Sequence, residues 1–471
     1  MRSGLLSVYT QCMRNKIWFY LLCVAHLGIS GYFWFNTSGT HTDNTANVLL
    51  GLGRLSGLLL VDVILLQVML MGRARWLESV FGLDKLAKVH RFAGKWITIL
   101  LLAHPILLTL AYQNFTGAGF LSQLWDFQVS FEDVWHASIG FAFFLFVIVY
   151  SILMSRRKWD FERWYWAHLS VYAAIILAFG HQTAVGGDFL GSSPIFNNIP
   201  ELTWFTLYWY IVHAFVFGNL VWYRICRPLW NYYLHGFTVS TIKNETPDVW
   251  SLYITGKNIS SFSYTPGQFV IIRFLAKGYY WQAHPFSLSC YPNTEYIRLS
   301  IKASGDFTKT IGRLPIGTKA YIEGPYGTLT AKKSQTNKVL MIAGGIGITP
   351  FRGIIEDLGK AGKDIHLIYG NKTEADIALR TELEELAQKY NIRIHHVLSN
   401  VEANSLQLTA GSFESFSTGF VTPELIQQLV PDVANREAFL CGPPPMMDAL
   451  FKTLTGLGVP PKKIYFEKFA L

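Results

Sequence analysis

The sequence predicts a multi-domain chain: an α-helical membrane bundle of six transmembrane helices, then an antiparallel β-barrel domain, then a doubly wound α/β nucleotide-binding domain. Three observations carry this expectation. Hydrophobic residues make up 51% of the 471 and charged ones 15%, and the apolar excess lies before about residue 225. Six runs in that part, 17–35, 49–72, 93–112, 136–154, 166–184 and 203–223, are each near the ~20 residues needed to span hydrocarbon. Beyond residue 237, short β-branched and aromatic runs give way to strands alternating with helix-like segments, the pattern of a parallel sheet. The expected boundaries are 1–227, 228–332 and 333–471.

The first run follows Arg14 and Lys16, carries no small-residue cleavage signal and is long for a signal peptide, so it reads as a retained helix. Lys and Arg crowd alternate connections: Arg2, Arg14 and Lys16; Arg73, Arg75, Lys85 and Lys88; Arg156, Arg157, Lys158 and Arg163; Arg224 and Arg227. The intervening loops, 36–47, 113–135 and 185–202, contain neither residue. By the positive-inside rule both termini and the soluble half are cytoplasmic, in a multi-pass protein of the cell membrane. That placement also accounts for much of the +9 net charge, so the bilayer and not nucleic acid is the expected partner. Five cysteines without CxxC spacing indicate neither a zinc site nor a disulfide framework.

The third and fifth runs each carry or border two histidines, His90 and His104 on one, His168 and His181 on the other. An imidazole in hydrocarbon is costly without a partner, so four at matched depths ask for a common cause. Both helices run outward, which pairs His90 with His168 near the inner face and His104 with His181 near the outer one. At 1.5 Å per residue the two levels are roughly 20 Å apart. Bis-histidine ligation of two b-type haems, stacked as a transmembrane electron wire, meets all of this. His26, His136 and His213 read instead as buried histidines bonded to neighbouring helices. Thirteen residues separate His168 from His181 and fourteen separate His90 from His104, so the former pair does not return to one helix face. A local irregularity at Gly180 is expected to re-aim the ring, and Pro105 to distort the helix beside His104. Arg54, on the outer half of the second run, is expected to pair with a haem propionate.

In the soluble half, Gly344-Gly345-Ile346-Gly347-Ile348-Thr349-Pro350 follows a strand and opens a helix, the context a dinucleotide pyrophosphate requires. With it come His284-Pro285-Phe286-Ser287, Lys302, Gly305-Asp306-Phe307-Thr308, Gly324-Pro325-Tyr326-Gly327 and Cys441-Gly442-Pro443-Pro444-Pro445-Met446. In that order these segments resemble the motif set of the ferredoxin-NADP reductase superfamily. Behind six helices with two His pairs, the whole chain resembles the NADPH oxidase and ferric reductase superfamily.

The resemblance implies FAD held by His284, Pro285, Phe286 and Ser287, with Ser287 near its reactive nitrogen. It implies Lys302 and Gly305, Asp306 and Thr308 along the ribityl and pyrophosphate. Gly344, Gly345, Gly347, Thr349 and Pro350 would take the pyrophosphate of NADPH or NADH, with Cys441 and Gly442 beside the nicotinamide. Phe466-Glu467-Lys468-Phe469 is similar to the terminal segment whose aromatic covers the flavin, here Phe469, with Glu467 beside it. Lys372 and Asp376, after strand 365–369, would choose between the nicotinamides: an acidic group repels a 2′-phosphate and Lys372 would bind one, so NADH or dual use is expected.

The expected activity is NAD(P)H oxidation through FAD and two haems to an acceptor on the outer face. Oxygen giving superoxide leads, with a ferric chelate or a separate protein as rivals. No EF-hand pattern appears and no obligate regulatory subunit is expected. Turnover is therefore expected to be unchanged by a calcium chelator; a rate that needs calcium would contradict this.

Overall fold

The computed structural model describes residues 2–39, 43–157, 161–184, 201–400 and 413–467. The chain divides into two compact units: 13–74 with 87–221, and 1–12 and 75–86 with 222–471.

The first unit is helical. In chain order the helices up to residue 221 are α1 (Arg2–Trp34), α2 (Thr45–Met71), α3 (Arg75–Phe81), α4 (Leu83–Thr116), α5 (Phe120–Ser130), α6 (Val134–Arg157), α7 (Phe161–Leu169), α8 (Val171–Ala184) and Glu201–Val221. Of these, α3 falls in the second unit. Among the described residues five helices are long and apolar enough to cross a membrane: Arg14–Thr37, Thr45–Met71, Leu83–Thr116, Val134–Met154 and Trp204–His235. The expected span 166–184 is divided at Ser170, and neither piece reaches that length. The Ser170 hydroxyl donates to Ala167 O (2.7 Å) and its N–H bonds the same carbonyl (3.2 Å), a tightened turn that competes with the helical ladder. The irregularity thus lies at Ser170 and not at Gly180, which sits within the unbroken α8. α4 likewise runs unbroken through Pro105.

Small residues set the helix spacing. A Cβ on Gly140 of α6 would lie 2.8 Å from Ala174 O of α8, and one on Gly53 of α2 would lie 2.7 Å from Leu108 Cδ2 of α4. Of the three histidines expected to be buried and bonded to neighbouring helices, His26 meets this with Tyr208 and Asp62, whereas His136 is 37% exposed and bonds Asp133 three residues before it, and His213 bonds the Trp209 carbonyl of its own helix.

The second unit opens with two antiparallel three-stranded sheets, β1-β2-β5 and β4-β3-β6. Their strands are β1 (Thr238–Thr246), β2 (Val249–Thr255), β3 (Phe269–Phe274), β4 (His284–Ser287), β5 (Ile297–Lys302) and β6 (Ala320–Tyr326). They share one core built from Phe237, Leu252, Ile272, Phe274, Leu299 and Ile322. Among the described residues the expected barrel is present as these two sheets, whose edge strands are bridged at both seams. The two sheets meet through isolated bridges, Thr238 with Lys319 and Leu288 with Leu299. β4 is an edge strand, the position that tolerates Pro285.

A six-stranded parallel sheet follows, in order β10-β9-β8-β7-β11-β12. It comprises β7 (Lys338–Gly344), β8 (Asp364–Asn371), β9 (Arg393–Leu398), β10 (Glu414–Thr418), β11 (Glu437–Cys441) and β12 (Ile464–Phe466). The helix expected over 374–389 begins at Arg380, because Leu379 takes a left-handed conformation (φ +60°) after a short 3-10 turn at Glu374–Asp376.

Buried Arg298 of β5 forks onto Glu382 of the helix Arg380–Tyr390, and Arg352 Nε reaches the same carboxylate at 2.8 Å. Burial pushes the Glu382 carboxyl up, yet the two guanidiniums outweigh it and hold the group below its usual range. Arg298→Ala leaves the half-buried Glu382 carboxylate with Arg352 as its remaining cationic partner and is expected to cost about 2 kcal/mol. An apolar pair, Arg298→Met with Glu382→Leu, is expected to recover most of that loss in unfolding midpoints.

Candidate functional site

In the helical unit the four membrane histidines meet in two pairs. The His90 and His168 ring centroids are 6.1 Å apart, and those of His104 and His181 are 6.3 Å apart. A metal bound axially by two imidazoles requires roughly 6 Å: two bonds of about 2 Å plus about 1 Å from each nitrogen to its ring centre. His104 Nδ1 donates to Gly53 O (2.8 Å), which fixes the tautomer and leaves Nε2 with its lone pair. Nδ1 of His90, His168 and His181 is buried without a hydrogen-bond partner, so no protein bond there accounts for burying those rings. Gln67 Nε2 donates to His90 O (2.9 Å), and Trp164 stacks on His168.

A cavity of ≈ 540 Å³ adjoins the outer pair, lined among others by Arg54, Gly57, His104, Phe141, His181 and Gln182. A Cβ on Gly57 would lie 2.7 Å from the His104 ring, so this glycine gives the ring its room. Among the described residues no group of three or more metal-ligating side chains occurs. A two-imidazole donor set suits a metal that brings its own equatorial ligands, and haem iron is of that kind.

In the second unit Ser287 of β4 registers with Phe269 of β3, and Phe269 with Tyr326 of β6, which leads into Gly327. His284 lies 4.1 Å from the Phe307 ring, and Phe307 is buried against Phe274 and Phe286. Lys302 is ion-paired to Asp248 (3.1 Å), and the Thr308 hydroxyl accepts from Gly305 N (2.8 Å) and Ser304 N (3.0 Å). These two side chains therefore shape the turn around Gly305 and Asp306 through bonds within the protein.

Strand order reverses between β7 and β11, and this reversal carries the second half of the site. Successive strands after β7 extend the sheet one way and β11 starts it the other way, so the crevice lies at the carboxyl ends of these two strands. Gly344 ends β7, Cys441 ends β11, and Thr349 and Pro350 lie in the first turn of the helix Ile348–Lys360. A Cβ on Gly347 would collide with the Cys441 carbonyl, and one on Gly442 would lie 3.2 Å from Gly344 N, so both motifs share one cradle. Gly345 adopts φ +51°, open to glycine at no steric cost. Burial, with Glu467 nearby, pushes the Cys441 thiol up to about 12, so it is a neutral contact group and no nucleophile. Asp376 caps its own turn, accepting from Thr373 N (2.9 Å) and Thr373 Oγ1 (2.7 Å), while Lys372 is exposed. Glu467 is buried beside the Gly327–Thr328 turn, and Phe469 lies outside the described residues.

Three family models match in succession: a ferric reductase like transmembrane component over 52–179, an FAD-binding domain over 234–330 and an oxidoreductase NAD-binding domain over 341–452. The chain belongs to the NADPH oxidase and ferric reductase superfamily. Its reductase half is similar to NADH-cytochrome b5 reductase 1 of Lodderomyces elongisporus, 37% identical over 161 residues, which are 33% of this chain and 51% of that protein. It is also similar to the sulfhydrogenase 2 gamma subunit of Pyrococcus furiosus, 32% identical over 212 residues, 44% of this chain and 72% of that subunit. The chain spans about half the length of the cytochrome b5 reductases it matches, 51% and 52% for two of them. Among solved structures, the flavohemoglobin of Malassezia yamatoensis aligns at a TM-score of 0.44 with 19% identity, over 88% of this chain and 96% of that one.

Sequence reasoning passed over Gly53, Gly57, Gln67 and Glu78. The close spacing of Gly51, Gly53 and Gly57 was the signal for the first two, since small residues on one helix mark a near neighbour. Gly57→Ala is expected to displace the His104 ring and abolish the low-spin spectral signature of the outer centre while sparing the inner one; two unchanged centres would refute this placement.

Proposed function

We propose that this membrane protein carries electrons from NAD(P)H on the cytoplasmic side to an acceptor on the outer face of the cell membrane. The single observation that carries the reading is the two imidazole pairs, each with room for a metal between its rings and each with one member on α4. Fourteen residues of that helix separate the two levels by about 21 Å. His90 and His168 would hold the inner haem, and His104 and His181 the outer one. Bound in these sites, FAD supplies the conversion of one hydride into two single electrons, and each haem carries one electron at a time.

The residues present the reactants and keep water away. Gly344 and Gly347 let backbone approach the dinucleotide pyrophosphate at the start of the helix Ile348–Lys360. Cys441, held as a neutral thiol, packs beside the nicotinamide without competing for it as a nucleophile. Ser287 offers its hydroxyl to the flavin from the edge strand β4. Arg54 lies in the cavity beside the outer pair, where a guanidinium suits a carboxylate of the bound group. NADH is the favoured donor, in keeping with the cytochrome b5 reductases named for that cofactor.

The acceptor in this reading is oxygen, reduced by one electron to superoxide. Purified protein given NADH is expected to reduce a dye in a manner abolished by superoxide dismutase, with low-spin b-type bands in the reduced-minus-oxidised spectrum. Dismutase-insensitive dye reduction with rapid ferric-chelate reduction would overturn the choice of oxygen. Absence of b-type bands would overturn the electron route itself.

A further inference from the structure

The segment 75–86 follows α2 and runs into the first turn of α4, but belongs to the compact unit of the reductase half. Its helix α3 carries Glu78, which is 2% exposed. Glu78 Oε1 accepts the backbone N–H of Gly327 at 2.7 Å, across 249 residues of chain. Glu467 is 3% exposed and comes to the same turn from the other side. Its Oε1 accepts from Thr328 N at 3.4 Å, its Oε2 is buried without a hydrogen-bond partner, and a Cβ on Gly327 would lie 3.1 Å from that oxygen. Two buried carboxyls therefore bracket one turn, at the end of the strand that registers through Phe269 with Ser287.

Two like charges so placed in low dielectric do not both ionise readily, and such a pair holds one proton between them. The surrounding charged and titratable groups are Arg75 on α3, Asp84 at the start of α4, Lys333 after β6 and Cys441 at the end of β11. Lys333 Nζ donates to Thr328 Oγ1 (3.3 Å), so it touches the turn itself. Burial pushes both carboxyls up to about 7, with Asp84 adding to each and Glu78 adding to Glu467.

We propose that Glu78 is the carboxyl coupled to Glu467 across the Gly327–Thr328 turn, and that the two, which cannot both ionise readily there, together retain one proton and form the proton-accepting group of the reductase half. The inference rests on the electron route proposed above. A hydride from NAD(P)H brings two electrons and one proton; the electrons leave singly toward the haems, and the proton must leave by another path. It bonds to the ionised carboxylate of the pair, giving two neutral carboxyls, and one of them then releases a proton to solvent.

The test begins on resting, full-length purified protein, where no electron transfer is needed. Infrared spectroscopy follows the protonated-carboxyl stretch against pH in wild type, Glu78→Gln, Glu467→Gln and the double variant. In Glu78→Gln the amide oxygen still accepts from Gly327 N, so the fold is retained, and Glu78→Asp serves as a second variant that keeps the charge. A wild-type band titrating near neutral pH is expected, with about half its titrating absorbance and a lower midpoint in each single glutamine variant, and none in the double variant. A Glu467 midpoint unchanged by Glu78→Gln would overturn the pair.

Stopped-flow measurement of flavin reoxidation by the haems supplies the second arm. The wild-type step is expected to slow about tenfold per pH unit below the pair's midpoint, as the acceptor fills, and Glu78→Gln is expected to shift that profile to lower pH. A profile that Glu78→Gln leaves in place would overturn the role. Flavin that NAD(P)H fails to reduce, with the shared carboxyl band intact, would instead sink the electron route and leave the pair standing.

Discussion

A buried imidazole must have a partner, and the membrane unit is arranged around that constraint. His26 and His213 meet it with hydrogen bonds to Asp62 and Tyr208 and to the Trp209 carbonyl, while the half-exposed His136 bonds Asp133. The remaining four rings face one another two by two, at a separation that leaves room for a metal between them. Hydrocarbon offers no water to satisfy a ring nitrogen, so the geometry has meaning there that it would lack at a soluble surface. Gly53 and Gly57 of α2 serve the same end, one as the acceptor that sets the His104 tautomer and one as the space the ring occupies.

The reductase half obeys a different constraint. A nucleotide has to approach backbone closely at the carboxyl edge of a parallel sheet, and the place where strand order reverses is where two loops diverge enough to admit it. Between β7 and β11 this opening is floored by glycines, since a Cβ on Gly347 would strike the Cys441 carbonyl, one on Gly442 would crowd the Gly344 backbone and one on Gly344 would meet the Met446 side chain. The thiol of Cys441 fits such a floor because it is small and burial favours its neutral form. Within the same unit, the Arg298–Glu382–Arg352 cluster ties the β4-to-β5 region to the helices of the α/β sheet.

The helix α3 qualifies the plain division into membrane and soluble parts. By sequence it is a short connection between two spans, yet it folds with the reductase half through Glu78 and the Gly327 backbone. Ordinary carboxylates avoid such burial. The cost of placing two of them at one turn is what singles out Glu78 and Glu467 as functional candidates.

Local chemistry was enough to read the apolar spans, the four membrane histidines and their pairing, the strand-turn-helix at Gly344 and the order of the reductase motifs. Hydrophobic length, the distribution of Lys and Arg and the phi freedom of glycine each act over a few residues, so each is written in the sequence. The break at Ser170 and the start of the helix at Arg380 depend on a hydroxyl-to-carbonyl bond and on the left-handed Leu379, which residue types alone leave open. Only tertiary structure brought Glu78 to Glu467 and Gly53 to His104. Such contacts join residues far apart in the chain, and no periodicity or spacing encodes which distant group fills a given buried bond.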